Sequence, residues 1–130
     1  MKISQIAAVV KVKETDCTRD ILDFLTKAGC YVWRNNSGAI QGKHRFIKYG
    51  KPGSSDIIGI SPTGIFMAIE VKSNGEPLTK EKDKGEDSQE FFLKTIARKA
   101  GISIIAKSLQ DVVGEYERTG FRVPSEPYFL

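Results

Sequence analysis

Two apolar runs separated by four turn-forming residues constrain this chain more than any other feature. The first is Asp56-Ile57-Ile58-Gly59-Ile60, and the second is Ile65-Phe66-Met67-Ala68-Ile69-Glu70-Val71-Lys72. Ser61-Pro62-Thr63-Gly64 lies between them. Short runs rich in β-branched and aromatic residues, bounded by Gly, Pro and Ser, read as strands. A connection this short makes the pair antiparallel. The second run is apolar on both faces until it ends in Glu-Val-Lys, so the pair belongs inside a covered sheet.

The flanking segments supply the cover. Residues 16–28 read as a helix, because Cys17, Ile21, Leu22, Phe24 and Leu25 recur at helical spacing and Gly29 supplies the stop. Tyr31-Val32-Trp33 reads as a short strand whose alternating aromatics are core residues by preference, with rings that stack on bases as the alternative. Asn35-Asn36-Ser37-Gly38 is a turn cluster, and residues 35–43 are expected to form a flexible loop. Residues 43–49 alternate like a strand or hairpin arm with basic groups on one face, and residues 50–55 read as a turn. Residues 73–88 are polar and charged, and read as a mobile loop or the frayed start of a helix. A helix over 89–100 carries Phe92, Leu93, Ile96 and Ala100 on one stripe and ends at Gly101. Residues 102–106 form a further strand. Ser108 caps a last helix running to about Arg118, with Leu109, Val112, Val113 and Tyr116 inward. The expected fold is α/β, a mixed central β-sheet flanked by helices, in one domain spanning 1–130.

Composition narrows the class. A chain of 130 residues fits one domain around one core. With 40% hydrophobic and 28% charged residues it has the balance of a globular protein, which argues against disorder. No apolar run approaches the roughly 20 residues of a membrane span, so no membrane association is expected. Residues 1–10 lack the charged start and small-residue exit of a signal peptide and read as a first strand or an ordered lead-in. Cys17 and Cys30 have neither zinc-site spacing nor the numbers for a disulfide framework, and read as reduced thiols of a cytoplasmic protein. The single histidine, His44, argues against a Cys/His metal site. A net charge of +4 and a pI near 9.1 tilt the partner toward a polyanion.

The chemistry concentrates on the strand pair. With Pro62 and Thr63 at the turn centre, paired residue numbers sum to about 125, so Asp56 lies opposite Ile69 and within one residue of Glu70. Glu70 and Lys72 are two apart on one strand and point to the same face. Two carboxylates and an ammonium thus converge at one sheet edge. Oxygen ligands of this kind suit Mg²⁺ or Mn²⁺, which polarise a phosphodiester and acidify a bound water. A Glu-x-Lys at a strand end is usually a solvated surface pair. Here it ends an otherwise apolar strand and has a partner aspartate.

These residues resemble a known family. Tyr49-Gly50-Lys51-Pro52-Gly53-Ser54-Ser55-Asp56-Ile57-Ile58-Gly59, followed by Ile69-Glu70-Val71-Lys72-Ser73, looks like the VRR-NUC domains of the PD-(D/E)xK nuclease superfamily. Trp33-Arg34-Asn35-Asn36-Ser37-Gly38 upstream and Ile104-Ile105-Ala106-Lys107-Ser108 downstream fit the same pattern, so the likeness spans about 14–116. It implies a restriction-endonuclease-like core and a Mg²⁺- or Mn²⁺-dependent DNA endonuclease. It implies Asp56, Glu70 and the Val71 backbone carbonyl as metal ligands, with Lys72 as the catalytic lysine. Glu14 in the first helix would be a further ligand, with Asp16 as its rival, and Gln89 would support the site. Stand-alone phage and bacterial members look like homodimers selective for branched DNA such as four-way junctions. The chain departs from the family in carrying Ser55 where a proline is usual and Thr18 where the first helix often has glutamine. Arg34, Lys43, Arg45, Lys48 and Lys51, with His44 among them, lie before the acidic hairpin and are placed to bind DNA phosphates. The alternative is a non-catalytic DNA-binding module on the same fold.

Overall fold

The computed structural model describes residues 14–121. The expected lead-in over 1–10 and the tail beyond 121 lie outside them. The chain runs through helix α1 (Glu14–Lys27), strands β1 (Tyr31–Arg34), β2 (Gly38–Gln41), β3 (Phe46–Tyr49), β4 (Ile57–Ile60) and β5 (Phe66–Val71), and short helix α2 (Glu81–Lys84). Helix α3 (Gln89–Arg98), strand β6 (Ile102–Ala106) and helix α4 (Leu109–Thr119) complete it. The central sheet has the order β1-β4-β5-β6. Its first three strands pair antiparallel, and β6 returns parallel to β5 after crossing through α3. The architecture is therefore α/β with a mixed central sheet flanked by helices. No helix among the described residues is long and apolar enough to cross a membrane.

Strand alternation divides the sheet into two faces. Ile57, Met67, Ile69, Val71, Ile102, Ile104 and Ala106 point to one side. There they pack with Cys17, Ile21 and Leu25 of α1, Val112 of α4 and Phe121. Ala68 points to the other side, where Leu93 of α3 and Leu78 cover it. Ser103 shares that side, and its hydroxyl donates to the Leu93 carbonyl at 2.8 Å. Burial raises the Cys30 thiol to about 11 and keeps it protonated at neutral pH. Both cysteines are buried, and neither forms a disulfide among the described residues.

Several local expectations change. The β4–β5 pairing sums to 126 rather than 125, with Ile57 opposite Ile69. The cause is Ser61, whose hydroxyl accepts the Thr63 and Ile65 N–H groups at 3.3 and 3.1 Å. Ile65 is thereby drawn into the turn, and the strand starts at Phe66. The loop expected over 35–43 contains β2, which pairs with β3 as a separate two-stranded ribbon. Tyr31 and Trp33 are not core residues: they are 72% and 47% exposed, because α3 covers β5 and β6 and, among the described residues, no element packs on their side of β1. The polar stretch 73–88 contains α2 and a single 3₁₀ turn. Ser88 caps α3 by accepting the Phe91 N–H, whereas Ser108 precedes α4 without a capping hydrogen bond from its side chain. The Asp111 carboxylate instead accepts the Lys107 N–H at 2.7 Å. Helix α3 ends before Ala100, which is exposed and takes a left-handed φ of 65° where Gly101 was expected to make the turn.

Two substitutions check these readings by urea unfolding. A Cβ on Gly59 would stand 2.1 Å from the Tyr31 carbonyl oxygen and 2.6 Å from Val32 Cα, so Gly59→Ala is expected to cost at least about 1–3 kcal/mol. Ala100→Gly relieves a left-handed alanine and is expected to stabilise by up to about 1 kcal/mol.

Candidate active site

The register of β4 and β5 assembles the acidic edge. With Ile57 opposite Ile69, the residues just beyond each, Asp56 and Glu70, stand side by side. Asp56 Oδ2 accepts the Val71 N–H at 2.8 Å, which fixes its carboxylate across the strand gap. The segment leading into Asp56 is tied down as well. Asn35 Nδ2 donates to Ser54 Oγ at 2.7 Å and to the Ser55 carbonyl at 2.9 Å, and Asn35 N donates to the Asp56 carbonyl at 2.7 Å. Asn35 thus fastens the end of β1 to the start of β4.

Glu70 is the centre of the arrangement. It is only 2% exposed, on the same sheet face as Ala68 and beneath the first turn of α3. Gln89, the first residue of α3, donates from Nε2 to Glu70 Oε1 at 2.7 Å. The orientation of that amide follows from its other end, where Gln89 Oε1 accepts the Thr79 N–H at 3.1 Å. Gln89 N donates to Thr79 Oγ1 at 2.8 Å, so the two residues lock each other. Lys72 Nζ lies 3.7 Å from Glu70 Oε1 with its side chain largely buried. A buried carboxylate needs such partners, because desolvation otherwise outweighs anything it contributes to folding.

Asp56 and Gln89 line an open cleft of 730 Å³. Its walls come from Asn35, Asn36 and Ser37, from Lys48 on the β2–β3 ribbon, and from Lys84 of α2. Lys72 opens instead onto a neighbouring hollow of 520 Å³ with Lys80, Lys107 and Asp111. Buried Glu70 contacts one lining residue of each, Gln89 of the cleft and Lys72 of the hollow.

The expected site residues separate into groups. Asp56, Glu70, Lys72 and Gln89 are brought together. Lys48 joins Asp56 and Gln89 at the cleft, while Arg34, Lys43, Arg45 and Lys51 are exposed on the flanking strand, ribbon and turn. Glu14 is the first residue of α1, and its side chain lies outside the described part of the structure. Asp16 is engaged by Arg19 at 3.5 Å. The Val71 amide meets Asp56 through its N–H. Sequence reasoning missed Lys84 and Thr79. Lys84 stood in a stretch read as a mobile loop or the frayed start of a helix, and nothing in Pro77-Leu78-Thr79 marks a hydrogen-bonding partner for Gln89.

Among the described residues no three His, Cys, Asp or Glu gather as a ready metal cage. Asp56 and Glu70 nevertheless form an all-oxygen pair of carboxyl groups. Mg²⁺ and Mn²⁺ favour such donors, and Mg²⁺ keeps several waters and takes only one or two carboxylates, so the donor set fits either ion. Compared with known proteins, the chain matches no protein-family model, no curated protein and no solved structure.

Proposed function

We propose that this protein is a Mg²⁺- or Mn²⁺-dependent DNA endonuclease with a restriction-endonuclease-like, PD-(D/E)xK core of the VRR-NUC type. The observation that carries this reading is the placement of Asp56, Glu70 and Lys72 on one sheet face, where Asp56 lines a cleft with Lys48 and Lys84 on its walls. Burying Glu70 costs stability that an apolar residue would not. A module that only bound DNA would have no use for an acidic pair facing an anionic ligand.

The chemistry follows from the residues. Phosphodiester hydrolysis needs a water to attack phosphorus, a P–O bond to break, and the departing oxygen to gain a proton. Asp56 and Glu70 would hold the cation, which when bound lowers the pKa of a water and offsets phosphate charge. The Val71 carbonyl and Glu14 are the further oxygens the reading assigns to it. Lys72 donates from Nζ toward the phosphate oxygen on which charge develops, or orients the attacking water. Gln89 is a positioning residue that holds Glu70 in one rotamer. Lys48 and Lys84 bind phosphates flanking the scissile bond, and Arg34, Lys43, Arg45 and Lys51 extend that path. In this reading the protein acts in the cytoplasm as a homodimer on branched DNA such as four-way junctions, where two sites cut two strands.

Two experiments test the proposal. A cleavage panel of single-stranded, duplex, flap and four-way-junction DNA in Mg²⁺ or Mn²⁺ should show cutting that stops with chelator. Asp56→Ala and Lys72→Ala should each lower the rate by at least about 10²-fold. Wild-type rates in both variants would overturn the reading. Gln89→Ala should reduce activity about 10- to 100-fold while cleavage stays metal-dependent. Thermal unfolding supplies the second test. Glu70→Gln keeps the Gln89 contact but leaves the largely buried Lys72 without its counter-charge, so in chelator it should melt below wild type. Mg²⁺ at about 100 times its Kd should stabilise wild type by about 2.7 kcal/mol and leave Glu70→Gln unmoved. A wild-type Tm that ignores both ions would count against the metal site.

A further inference from the structure

The β2–β3 ribbon is not part of the central sheet, and all eight of its residues are exposed. Its register sorts them by face. Ala39 pairs with Lys48 and Gln41 with Phe46, so these four share one side. Ala39 and Lys48 line the cleft with Asp56 and Gln89. Phe46 therefore lies on the cleft side of the ribbon, two residues nearer the tip than Lys48, and it is 59% exposed. Among the described residues, nothing on that face buries it.

The surroundings identify what would cover the ring. Residues 34–55 hold five of the chain's 20 Lys and Arg and none of its 16 Asp and Glu. Outside that segment acidic residues outnumber basic ones by one, so the ribbon and its flanks account for the whole of the chain's positive balance. A flat aromatic face beside an ammonium, on an acid-free arm, matches the chemistry of an unpaired nucleobase on its phosphate chain. Phosphates settle on the cations while a base stacks on the ring. A base paired inside a continuous duplex keeps its faces in the stack and cannot offer one.

We propose that Phe46 is a base-stacking residue, taking an unpaired base of single-stranded DNA on its cleft-facing ring while Lys48 and Arg45 hold the adjoining phosphates. The inference rests on the nucleic-acid reading of the same cleft and adds the residue that distinguishes unpaired from paired DNA. Because Asn35 sews the base of the ribbon to the start of β4, a strand held at Phe46 enters beside Asp56.

The test is binding without catalysis. Affinities for a short oligothymidylate and for an abasic oligomer of equal length are measured in chelator, across a salt series. Wild type should prefer the oligomer with bases by about 5- to 150-fold, the range of one base–aromatic stack. Phe46→Ala should bind both alike, and Phe46→Trp should restore the preference. Lys48→Ala should weaken both oligomers equally and reduce the log–log salt slope by about 0.7. Equal wild-type affinity for the two oligomers, or an unchanged preference in Phe46→Ala, overturns the stacking role. Binding of neither oligomer at low salt also overturns it and points to a protein on this face. The ring's exposure makes Phe46→Ala a mild change, and circular dichroism verifies its fold. Absence of cleavage in Mg²⁺ or Mn²⁺ would defeat the nuclease reading while leaving this preference intact, so the two failures are distinguishable.

Discussion

The structure depends on the register between β4 and β5, and that register is held at both ends by side chains. At the closed end, buried Ser61 gathers the Thr63 and Ile65 amides onto its hydroxyl, which sets the length of the turn. At the open end, Asp56 accepts from Val71 across the gap. A slip of one residue would turn Glu70 and Lys72 toward α1 and α4 and bring Ile69 and Val71 out in their place. The apolar demand of the core and the polar demand of the cleft are therefore met by the same alignment.

Around that alignment the sheet is covered unequally. Helices α1 and α4 close one face completely, and α3 closes only the β5–β6 half of the other. The uncovered half leaves Tyr31, Trp33, Ile60 and Phe66 partly in solvent. The boundary of the covered half is where Glu70 lies, low in exposure yet beside an open cleft. Partial cover explains how a carboxylate can be desolvated enough to need Gln89 and Lys72 while its neighbour Asp56 still lines the cleft.

Much of this was readable in the residues, and the failures have physical causes. Periodicity located α1, α3, α4, β4, β5 and β6, because each buries a stripe or a face. Alternation placed Glu70 and Lys72 together, and a short turn placed Asp56 near them. Strand β2 escaped notice because Gly38-Ala39-Ile40-Gln41 buries nothing and owes its form to β3, a partner at a distance. Tyr31 and Trp33 were misplaced because an aromatic alternation is the same whether or not a helix lies over it. The turn sum was off by one because a serine hydroxyl, which no hydropathy pattern records, extends the loop. Thr79 and Lys84 belong to irregular chain whose position is set by what it packs against.

The alternation along β5 has a consequence for how such a protein changes over time. Met67, Ala68, Ile69 and Val71 answer to the folded state, and Glu70 and the following Lys72 face the side where the chemistry would occur. Selection for a sound interior and selection on the cleft therefore act on alternate codons of one short stretch of gene. Drift in one set need not disturb the other, so a lineage can retool the cleft while inheriting the same scaffold, or harden the scaffold while leaving the cleft as it was.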